Sequence, residues 1–249
     1  MLVVGAGTRP SEDPDAPIGN GRAISVLAAR EGAAVACADL DKDAAEATAG
    51  LIENEGATAK TLVADAADPV QAGAMVEGAV TTLGGLDGVV LNVGIGLGAG
   101  LEGTSADDWD RALAVNLRAH FLVCKAALPV MGEGGALVFV SSVAGLRSGS
   151  GSPSYDSSKA ALFGLCRHVA REGASRQVRA NVVVPGLIDT PIGRAASNRN
   201  PLRDRAAARV PLGRQGTAWE IAYATVYLLS GESSYVTGQM LVVDGGLML

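Results

Sequence analysis

The chain contains few aromatic, cysteine and histidine residues. Phe, Trp and Tyr together make up 4% of its 249 residues, so we expect a core built from aliphatic side chains. Its three cysteines, Cys37, Cys124 and Cys166, are odd in number, far apart and set in apolar stretches. They indicate reduced core residues rather than a disulfide framework. With only His120 and His168 as histidines, the sequence predicts no metal cluster.

An excess of positive charge and long apolar runs are also missing. The net charge of −6 and the pI near 5.0 argue against nucleic acid or an anionic membrane as a partner. No run of 18 apolar residues occurs, and the first five residues enter a glycine loop without a charged leader or a cleavage site. We therefore expect a cytoplasmic protein that does not bind membranes.

Apolar content and glycine are abundant. With 48% hydrophobic residues and a mean hydropathy of +0.27, residues 1–249 are enough for one α/β domain and few for two. The 33 glycines indicate tight turns between strands and helices. Short β-type runs alternate with longer helical patterns, which predicts a single-domain Rossmann-type doubly wound parallel sheet of about seven strands with helices on both faces.

The predicted strands are Leu2–Val4, Ala33–Ala38, Ala59–Ala64, Gly88–Asn92, Ala136–Ser141, Arg179–Val184 and Gln239–Val243. The predicted helices are Gly19–Glu31, Lys42–Glu55, Pro69–Leu83, Ala106–Leu128, Ser154–Glu172 and Ala218–Leu229. Glycine and polar residues follow most of these strands, where doubly wound sheets bind their ligands. In chain order they are Gly5 and Gly7, Asp39, Asp65, Asn92 and Gly94, Ser142, and Pro185 with Gly186.

The first strand leads into a split glycine motif. Gly5 and Gly7 follow the strand, and Gly19 and Gly21 open the first helix. Glycines there let the backbone approach a pyrophosphate, whose charge is favoured at a helix N-terminus. The intervening insertion, residues 8–17, is rich in proline and acidic residues, and it is either a stiff excursion that covers a cofactor or a decorative loop.

Asp39 ends the second predicted strand. Its carboxylate could accept hydrogen bonds from adenosine ribose hydroxyls and would repel a 2′-phosphate, which favours NAD over NADP. The alternative role is an N-cap for the next helix, which Asp41 could fill equally well. Asp65, after the third strand, is interpreted either as a contact to the adenine edge or as a turn residue.

Tyr155 and Lys159 lie one helical turn apart and therefore share a helix face. A free tyrosine titrates near pH 10, and a cation a few ångströms away can lower that pKa by about 1–3 units, whereas burial alone would raise it. The pair is thus a candidate acid/base. Ser142, at the end of the fifth strand, could hold a carbonyl or alcohol oxygen beside the phenol.

Over essentially its whole length the sequence resembles the short-chain dehydrogenase/reductase family. The matching segments are Gly5, Gly19 and Gly21, Asp39, Leu91-Asn-Val-Gly94, Asn116 in Val115-Asn-Leu117, Ser141-Ser142, Tyr155 with Lys159, Pro185-Gly186 through Thr190, and Asp244-Gly-Gly246. The departures are Val4 where the family often has threonine, Leu91 in place of the first asparagine, and the ten-residue insertion.

The resemblance implies an oxidoreductase that transfers a hydride between NAD(H) and a secondary alcohol or ketone. Tyr155 would be the acid/base, Lys159 would lower its pKa and bind the nicotinamide ribose, Ser142 would hold the substrate oxygen, and Asn116 would help to carry a water-linked proton relay. Ile188 and Thr190 resemble contacts to the nicotinamide carboxamide. The expected cofactor site comprises Gly5, Gly7, Gly19, Asn20, Gly21, Asp39, Leu40, Asp65, Ala66, Asn92, Gly94, Tyr155, Lys159, Pro185, Gly186, Ile188 and Thr190. The resemblance also implies a homotetramer or homodimer.

The substrate is less well defined. In this family the segment 190–216 forms a lid, and here it carries six arginines, namely Arg194, Arg199, Arg203, Arg205, Arg209 and Arg214, against one acid, Asp204. They indicate either an anionic substrate or a solvated helical face. An aliphatic pocket wall is expected from Gly94, Ile95, Val143, Ala144, Leu187 and Ile192. Two alternatives remain: a 3-oxoacyl-thioester reductase acting on acyl-carrier-protein or CoA substrates, and a catalytically silent dinucleotide-binding scaffold.

Overall fold

A computed structural model gives the fold and describes residues 1–11, 15–198 and 209–249. The strands in the described residues are β1 Leu2–Val4, β2 Val35–Asp39, β3 Ala59–Val63, β4 Gly88–Leu91, β5 Ala136–Val140, β6 Arg179–Pro185, β7 Ile188–Asp189, β8 Gly216–Thr217 and β9 Met240–Val243. Seven of them form one parallel sheet in the order β3-β2-β1-β4-β5-β6-β9. The doubly wound Rossmann-type fold is therefore confirmed.

Helices cover both faces of this sheet. They are α1 Asn20–Arg30, α2 Lys42–Asn54, α3 Pro69–Leu83, α4 Ala106–Leu113, α5 Ala119–Val130, α6 Pro153–Gly173, α7 Pro191–Asn198 and α8 Ala218–Leu229. Apart from the helix predicted over Ala106–Leu128, the predicted elements are found with boundaries that differ by no more than two residues. The pair β7 and β8, which forms a separate two-stranded parallel sheet, was not predicted.

The central strands are buried on both faces because successive side chains point to opposite sides of the sheet. In β5, Leu137 and Phe139 pack with α3, α5 and α6, whereas Val138 and Val140 pack with α1 and α8. All five residues of the strand are buried. Each large aliphatic or aromatic side chain placed in this way contributes roughly 1.5–3 kcal/mol, so these two layers fix the register of the sheet.

The long predicted helix Ala106–Leu128 is interrupted. A π-helical turn, Ala114–Arg118, separates α4 from α5, and Pro129 lies inside the last turn of α5. By length and composition the combined helix Ala106–Val130 could cross a membrane, but core helices meet the same criterion. The inward face of α5, with Val123 and Ala127, packs in the core.

The strand order reverses between β1 and β4, since β1 pairs with β2 on one side and with β4 on the other. In such sheets a crevice opens beyond the carboxyl ends of the strands at this reversal point. The loops that follow β1, β2, β4, β5 and β6 therefore meet there, and they carry many of the predicted site residues; Asp65 and Ala66 follow β3, and Asn116, Tyr155 and Lys159 lie on helices.

Candidate active site

The split glycine motif is brought together at the end of β1. Gly5 has a φ of +81°, a left-handed conformation that favours glycine. A Cβ on Gly21 would lie 1.8 Å from the carbonyl oxygen of Gly5, so the first turn of α1 rests directly on the loop. The Asn92 side chain donates to that same carbonyl at 2.8 Å. The loop therefore has the shape that glycine alone permits.

The insertion does not separate the two parts of the motif. The amide of Gly19 donates to the Thr8 hydroxyl at 2.9 Å, and this bond closes the neck of the excursion. Within the insertion, residues 12–14 lie outside the described part of the chain. Its far side reaches α7, where the Arg194 guanidinium donates to the Asp15 carbonyl at 3.2 Å. A cleft of about 500 Å³ lies between the insertion, α1 and α2, with Arg9 and Arg22 among its lining residues.

The N-terminus of α1 fits an anionic group. Its N-cap, Gly19, supplies no side-chain hydrogen bond, so the first amides of the helix are not capped by that residue. Asn20 is the first residue of this helix, and its buried Oδ1 atom, an acceptor without a hydrogen-bond partner in the described structure, does not itself favour an anion. Uncapped amides and the helix dipole together favour a phosphate. These residues therefore fit the pyrophosphate of a dinucleotide cofactor.

Asp39 is held at the end of β2. Its two carboxylate oxygens accept hydrogen bonds from the amides of Gly7 at 2.9 Å and of Asp41 at 3.1 Å. Asp41, not Asp39, caps α2 by accepting from the amide of Ala44. The alternative N-cap role of Asp39 is therefore wrong. Its carboxylate instead lies against the glycine loop, beside the exposed Leu40.

Asp65 has the turn role that was considered for it. Its carboxylate accepts a hydrogen bond from the amide of Ala67 at 2.8 Å, next to the buried Ala66. The bond organises the turn between β3 and α3. A contact to an adenine edge stays a prediction.

The hydroxyls of Ser142 and Tyr155 meet between the end of β5 and the start of α6. The Ser142 hydroxyl is near enough to the phenol to lower its pKa, and Ser142 accepts from the amide of Ala144 at 3.2 Å. The ammonium of Lys159 lies 5.7 Å from the centre of the Tyr155 ring. The structure thus gathers three of the four predicted catalytic side chains at one place.

Tyr155 differs from expectation in its acidity. Burial raises the pKa of its phenol above the ordinary value, the nearby Ser142 hydroxyl opposes that rise, and Asp156 adds to it. The expected net lowering by Lys159 is wrong for the described structure, because desolvation of the phenol is the largest effect. The phenol is therefore protonated near neutral pH.

Lys159 is almost completely buried. Its ammonium donates to the carbonyl of Val140 at 3.0 Å, and burial lowers the pKa of this group to about 8. A Cβ on Gly94 would come within 3.1 Å of the Nζ atom, so the loop after β4 is packed against the lysine. The ammonium can consequently change its charge in the pH range where an enzyme works.

Asn116 lies in the π-helical turn with its side chain fully buried. Its Oδ1 accepts from the amide of Ile95 at 2.8 Å, and its Nδ2 donates to the carbonyl of Ile95 at 2.9 Å and to the Ser158 hydroxyl at 3.0 Å. The side chain thus fastens the loop after β4 to α6. Its predicted part in a proton relay stays a prediction.

The loop after β6 is shaped by contacts at its two ends. A Cβ on Gly186, directly after Pro185, would lie 2.6 Å from the Cβ of Asp244. Thr190 accepts from the amide of Gly193 at 3.1 Å, and Ile188 packs in the core on the α8 side of the sheet. The side chains of Ile188 and Thr190 therefore already have partners within the chain, which limits their contacts to a carboxamide. Their backbone groups lie near the strand ends.

The residues predicted to form the pocket wall differ in their burial. Val143 is buried and Leu187 packs against the core, so both have the packing role that was the alternative for each of them. Ile192 is 50% exposed on α7, and Ala144 and Ile95 are partly buried. Ile95 and Gly94, which lie next to Asn116 and Lys159, remain the best-placed candidates for contact with a substrate.

Two of the six lid arginines are paired with acids that lie outside the segment. Arg194 forms a bidentate ion pair with Asp189 at 2.7 and 2.9 Å, and Arg214 pairs with Glu220. The balance of six bases against one acid therefore overstated the free positive charge. Arg199, Arg203 and Arg205 lie outside the described residues, and Arg209 is exposed.

Several polar residues of the site were not predicted. Ser141 donates to the carbonyl of Lys159 at 2.8 Å and joins β5 to α6, and Ser158 joins α6 to Asn116. Thr8 closes the insertion. Their contacts are made between segments distant in sequence, so local pattern does not reveal them; the family motif names Ser141 but not its bond to α6.

Comparisons with known proteins agree with this geometry. A family model described as enoyl-(acyl carrier protein) reductase matches residues 17–248. The chain is 36% identical over 233 residues to 3-oxoacyl-(acyl-carrier-protein) reductase FabG of Thermotoga maritima, covering 93% of this chain and 94% of that one. It is 39% identical over 235 residues to 2-(S)-hydroxypropyl-CoM dehydrogenase 3 of Xanthobacter autotrophicus, covering 92% of each. A solved structure, a blue fluorescent protein from a metagenomic library in complex with NADPH, superposes with a TM-score of 0.88 at 33% identity, covering 100% of this chain and 98% of that one.

Proposed function

Because this chain belongs to the short-chain dehydrogenase/reductase family and is an oxidoreductase of CH–OH and C=O groups, we propose that it transfers a hydride between NAD(H) and a hydrophobic secondary alcohol or ketone. The observation that carries the proposal is the junction of β5 and α6. There the Ser142 hydroxyl is near enough to the Tyr155 phenol to lower its pKa, and the Lys159 ammonium lies 5.7 Å from the centre of the phenol ring.

The nicotinamide, when bound, supplies the hydride chemistry. The residues of this chain orient the substrate and move one proton. Ser142 donates to the substrate oxygen and sets it beside the phenol. In reduction Tyr155 gives its proton to that oxygen, and the raised pKa keeps the phenol protonated for this step. In oxidation the same oxygen atom of Tyr155 takes the proton back.

Lys159 supports both directions. Its ammonium stabilises the phenolate left after proton transfer, and its pKa of about 8 lets it exchange its own proton near neutral pH. Asn116 holds the neighbouring loop through Ile95, and a water-linked relay from Lys159 past Asn116 is part of the proposal.

NAD is the proposed cofactor. The proposal is supported by the carboxylate of Asp39, which the amides of Gly7 and Asp41 orient at the glycine loop, because a carboxylate there could accept from adenosine ribose hydroxyls and would repel a 2′-phosphate. One structural neighbour of this chain was solved with NADPH, so the choice between the two dinucleotides needs its own measurement.

A second candidate is reduction of a 3-oxoacyl thioester carried on acyl carrier protein or CoA. It is favoured by the 36% identity to a protein named 3-oxoacyl-(acyl-carrier-protein) reductase. A silent dinucleotide-binding scaffold is disfavoured, because such a protein has no need to keep Asn116, Ser142, Tyr155 and Lys159 in one place.

The remaining assignments belong to the same proposal. The segment 190–216 acts as the substrate lid, and the insertion 8–17 borders the cofactor cleft, consistent with its contact to α7. A cytoplasmic location agrees with three buried free cysteines. Assembly as a homotetramer or homodimer follows the family expectation.

The test is a panel of secondary alcohols, ketones and 3-oxoacyl thioesters, assayed in parallel with NAD(H) and NADP(H). We expect turnover of hydrophobic ketones, with kcat/KM for NADH at least about tenfold above that for NADPH. Preference for NADPH would overturn the cofactor assignment, and turnover of thioesters alone would favour the second candidate. Cofactor binding without any turnover would identify a scaffold. Equal rates for neutral and carboxylated forms of one alcohol would exclude an anionic-substrate preference.

A further inference from the structure

The loop between β4 and α4 is rich in glycine, and yet hydrogen bonds from other elements hold it in one conformation. It contains four glycines at alternate positions, Gly94, Gly96, Gly98 and Gly100, two of which have positive φ. Glycine gives such a segment a large choice of backbone conformations. A defined shape therefore has to be imposed by contacts from outside the loop.

Two serines at the start of the catalytic helix α6 impose it, Ser152 as its N-cap and Ser154 in its first turn. Ser152 donates from Oγ to the carbonyl of Leu97 at 2.6 Å, and Ser154 donates to the same oxygen at 3.3 Å. The two hydroxyls lie 3.1 Å apart and are 7% and 0% exposed. Because both are shielded from water, these hydrogen bonds do not compete with solvent.

Ser152 has a second partner. Its Oγ accepts from the amide of Tyr155 at 3.3 Å and is the N-cap of α6, with Pro153 in the first turn. One hydroxyl therefore joins the carbonyl of Leu97 to the helix end that carries the proposed acid/base. Movement of the loop relative to Tyr155 would break one of these two bonds.

Other contacts fasten the ends of the loop. Asn116 holds both backbone groups of Ile95, and the amide of Gly100 donates to the carbonyl of Gly151 at 2.7 Å. Between these points the serine pair is the side-chain contact that sets the middle of the loop, within the described residues. The segment Gly94–Gly98 begins against Lys159 and runs past the catalytic helix.

We propose that Ser152 and Ser154 are positioning residues for substrate recognition, which fix the segment Gly94–Gly98 as the pocket wall facing the phenol of Tyr155. The inference rests on the proposed function, since it assigns this wall to the substrate of the same site. The serines act through the Leu97 carbonyl and take no part in proton transfer. They determine how well the substrate is held, and cofactor binding is independent of them.

The experiment uses Ser154→Ala, the double variant Ser152→Ala with Ser154→Ala, and Ser152→Thr. Ser154→Ala leaves the N-cap of α6 in place, and threonine keeps both the donor and the acceptor of Ser152. Ser105→Ala is the matched control, because Ser105 caps α4 at the end of the same loop by accepting from the amide of Asp108, whereas Ser152 and Ser154 donate to Leu97. The readouts are KM and kcat for the ketone most active in the panel, NADH affinity by fluorescence, and amide hydrogen exchange.

In the double variant we expect KM to rise about tenfold, the factor for losing a net hydrogen bond, with kcat changed less than about threefold and NADH affinity unchanged. Amides of residues 95–100 should exchange faster in the same variant and not in Ser105→Ala. Ser154→Ala should give a smaller rise in KM, and Ser152→Thr should behave as the wild type.

The inference would be overturned if the double variant had an unchanged KM and unchanged exchange in residues 95–100, with a loss of melting temperature like that of Ser105→Ala. The serines would then act only as a helix cap. Failure of the proposed function would look different. In that case no carbonyl substrate turns over with the wild-type protein, while the exchange readout still reports whether the serines hold the loop. Unchanged exchange there would also overturn the inference.

Discussion

The two halves of the cleft are built by different means. The cofactor half, from β1 to β3, is shaped mainly by backbone, with Gly5 and Gly21 in contact because neither has a side chain. The catalytic half, from β4 to β6, is held by buried polar side chains, among them Asn116, Ser158 and Lys159, which bond to backbone and to one another.

The two halves are therefore sensitive to different kinds of substitution. A substitution that adds a methyl group destabilises a surface made of close backbone contacts, because there is no room for extra atoms at such distances. A buried polar network is damaged by removing atoms, because each lost partner leaves a desolvated group unsatisfied. Substitutions that add an atom and substitutions that remove a polar group should therefore act differently on the two halves.

Gly21→Ala should have the largest effect on the cofactor half. Its Cβ would lie 1.8 Å from the Gly5 carbonyl oxygen and 2.8 Å from the Asn92 amide, so α1 or the loop has to move. We expect a loss of about 3 kcal/mol or more in the free energy of unfolding, together with loss of NADH binding. Gly50→Ala in α2, where a Cβ meets no atom within 4 Å, is the control and should stabilise the protein by about 0.5–1 kcal/mol. Equal effects of the two substitutions would contradict the backbone-shape account.

Lys159→Met tests the catalytic half through pH. The folded pKa of Lys159 is lowered from 10.5 to about 8, so between these values the unfolded chain binds more protons. Stability contributed by this position therefore rises as the pH increases from 8 to 10.5 and is lowest below 8, where the buried group is charged. Relative to the methionine variant, the wild type should gain about 3 kcal/mol across this range, measured by urea unfolding at each pH. A difference that does not depend on pH would show that Lys159 titrates as an ordinary surface lysine.

Asp39→Ser should change cofactor choice without changing the fold. Removing the carboxylate takes away the ribose acceptor and the repulsion of a 2′-phosphate, so the ratio of kcat/KM for NADPH over NADH should rise by about tenfold or more. Asp41→Ser keeps an N-cap on α2 and leaves Asp39 intact, so it is the matched control. A ratio that moves equally in both variants would remove Asp39 from its proposed role.

Thr8→Val should give the smallest effect. It removes the oxygen that accepts from the amide of Gly19 and keeps the side-chain shape, so the insertion neck loses one hydrogen bond of about 1 kcal/mol. NADH affinity should weaken by up to about tenfold. Thr82→Val in α3, where the hydroxyl bonds only within its own helix, should leave NADH affinity unchanged. Unchanged affinity in both would mean that the insertion is decorative.

Much of the fold could be predicted from the sequence because the central strands, such as β5, are apolar on both faces and are separated by clear helical patterns. The strands β7 and β8 have two residues each and leave no periodic signal. The π-helical turn at Asn116 also has no local signature, since it differs from an α-helix only in its hydrogen bonds.

Much of the candidate site could also be predicted from the sequence. The residues at the strand ends were identified by their chemistry, and their meeting followed from the parallel topology. The direction of the Tyr155 pKa shift could not be predicted, because it depends on how completely the folded chain desolvates the phenol. The positioning role inferred for Ser152 depends on a contact with Leu97, 55 residues away in sequence, which no local pattern reveals.

The most direct test of the central claim is the hydride-transfer rate of Tyr155→Phe in a single turnover, with NADH affinity measured on the same sample. Tyr235→Phe, at a fully exposed phenol, is the matched control. If Tyr155 is the acid/base, its variant should lose at least about 100-fold in rate while NADH affinity and the control stay at wild-type values. A rate within about threefold of wild type would contradict the account.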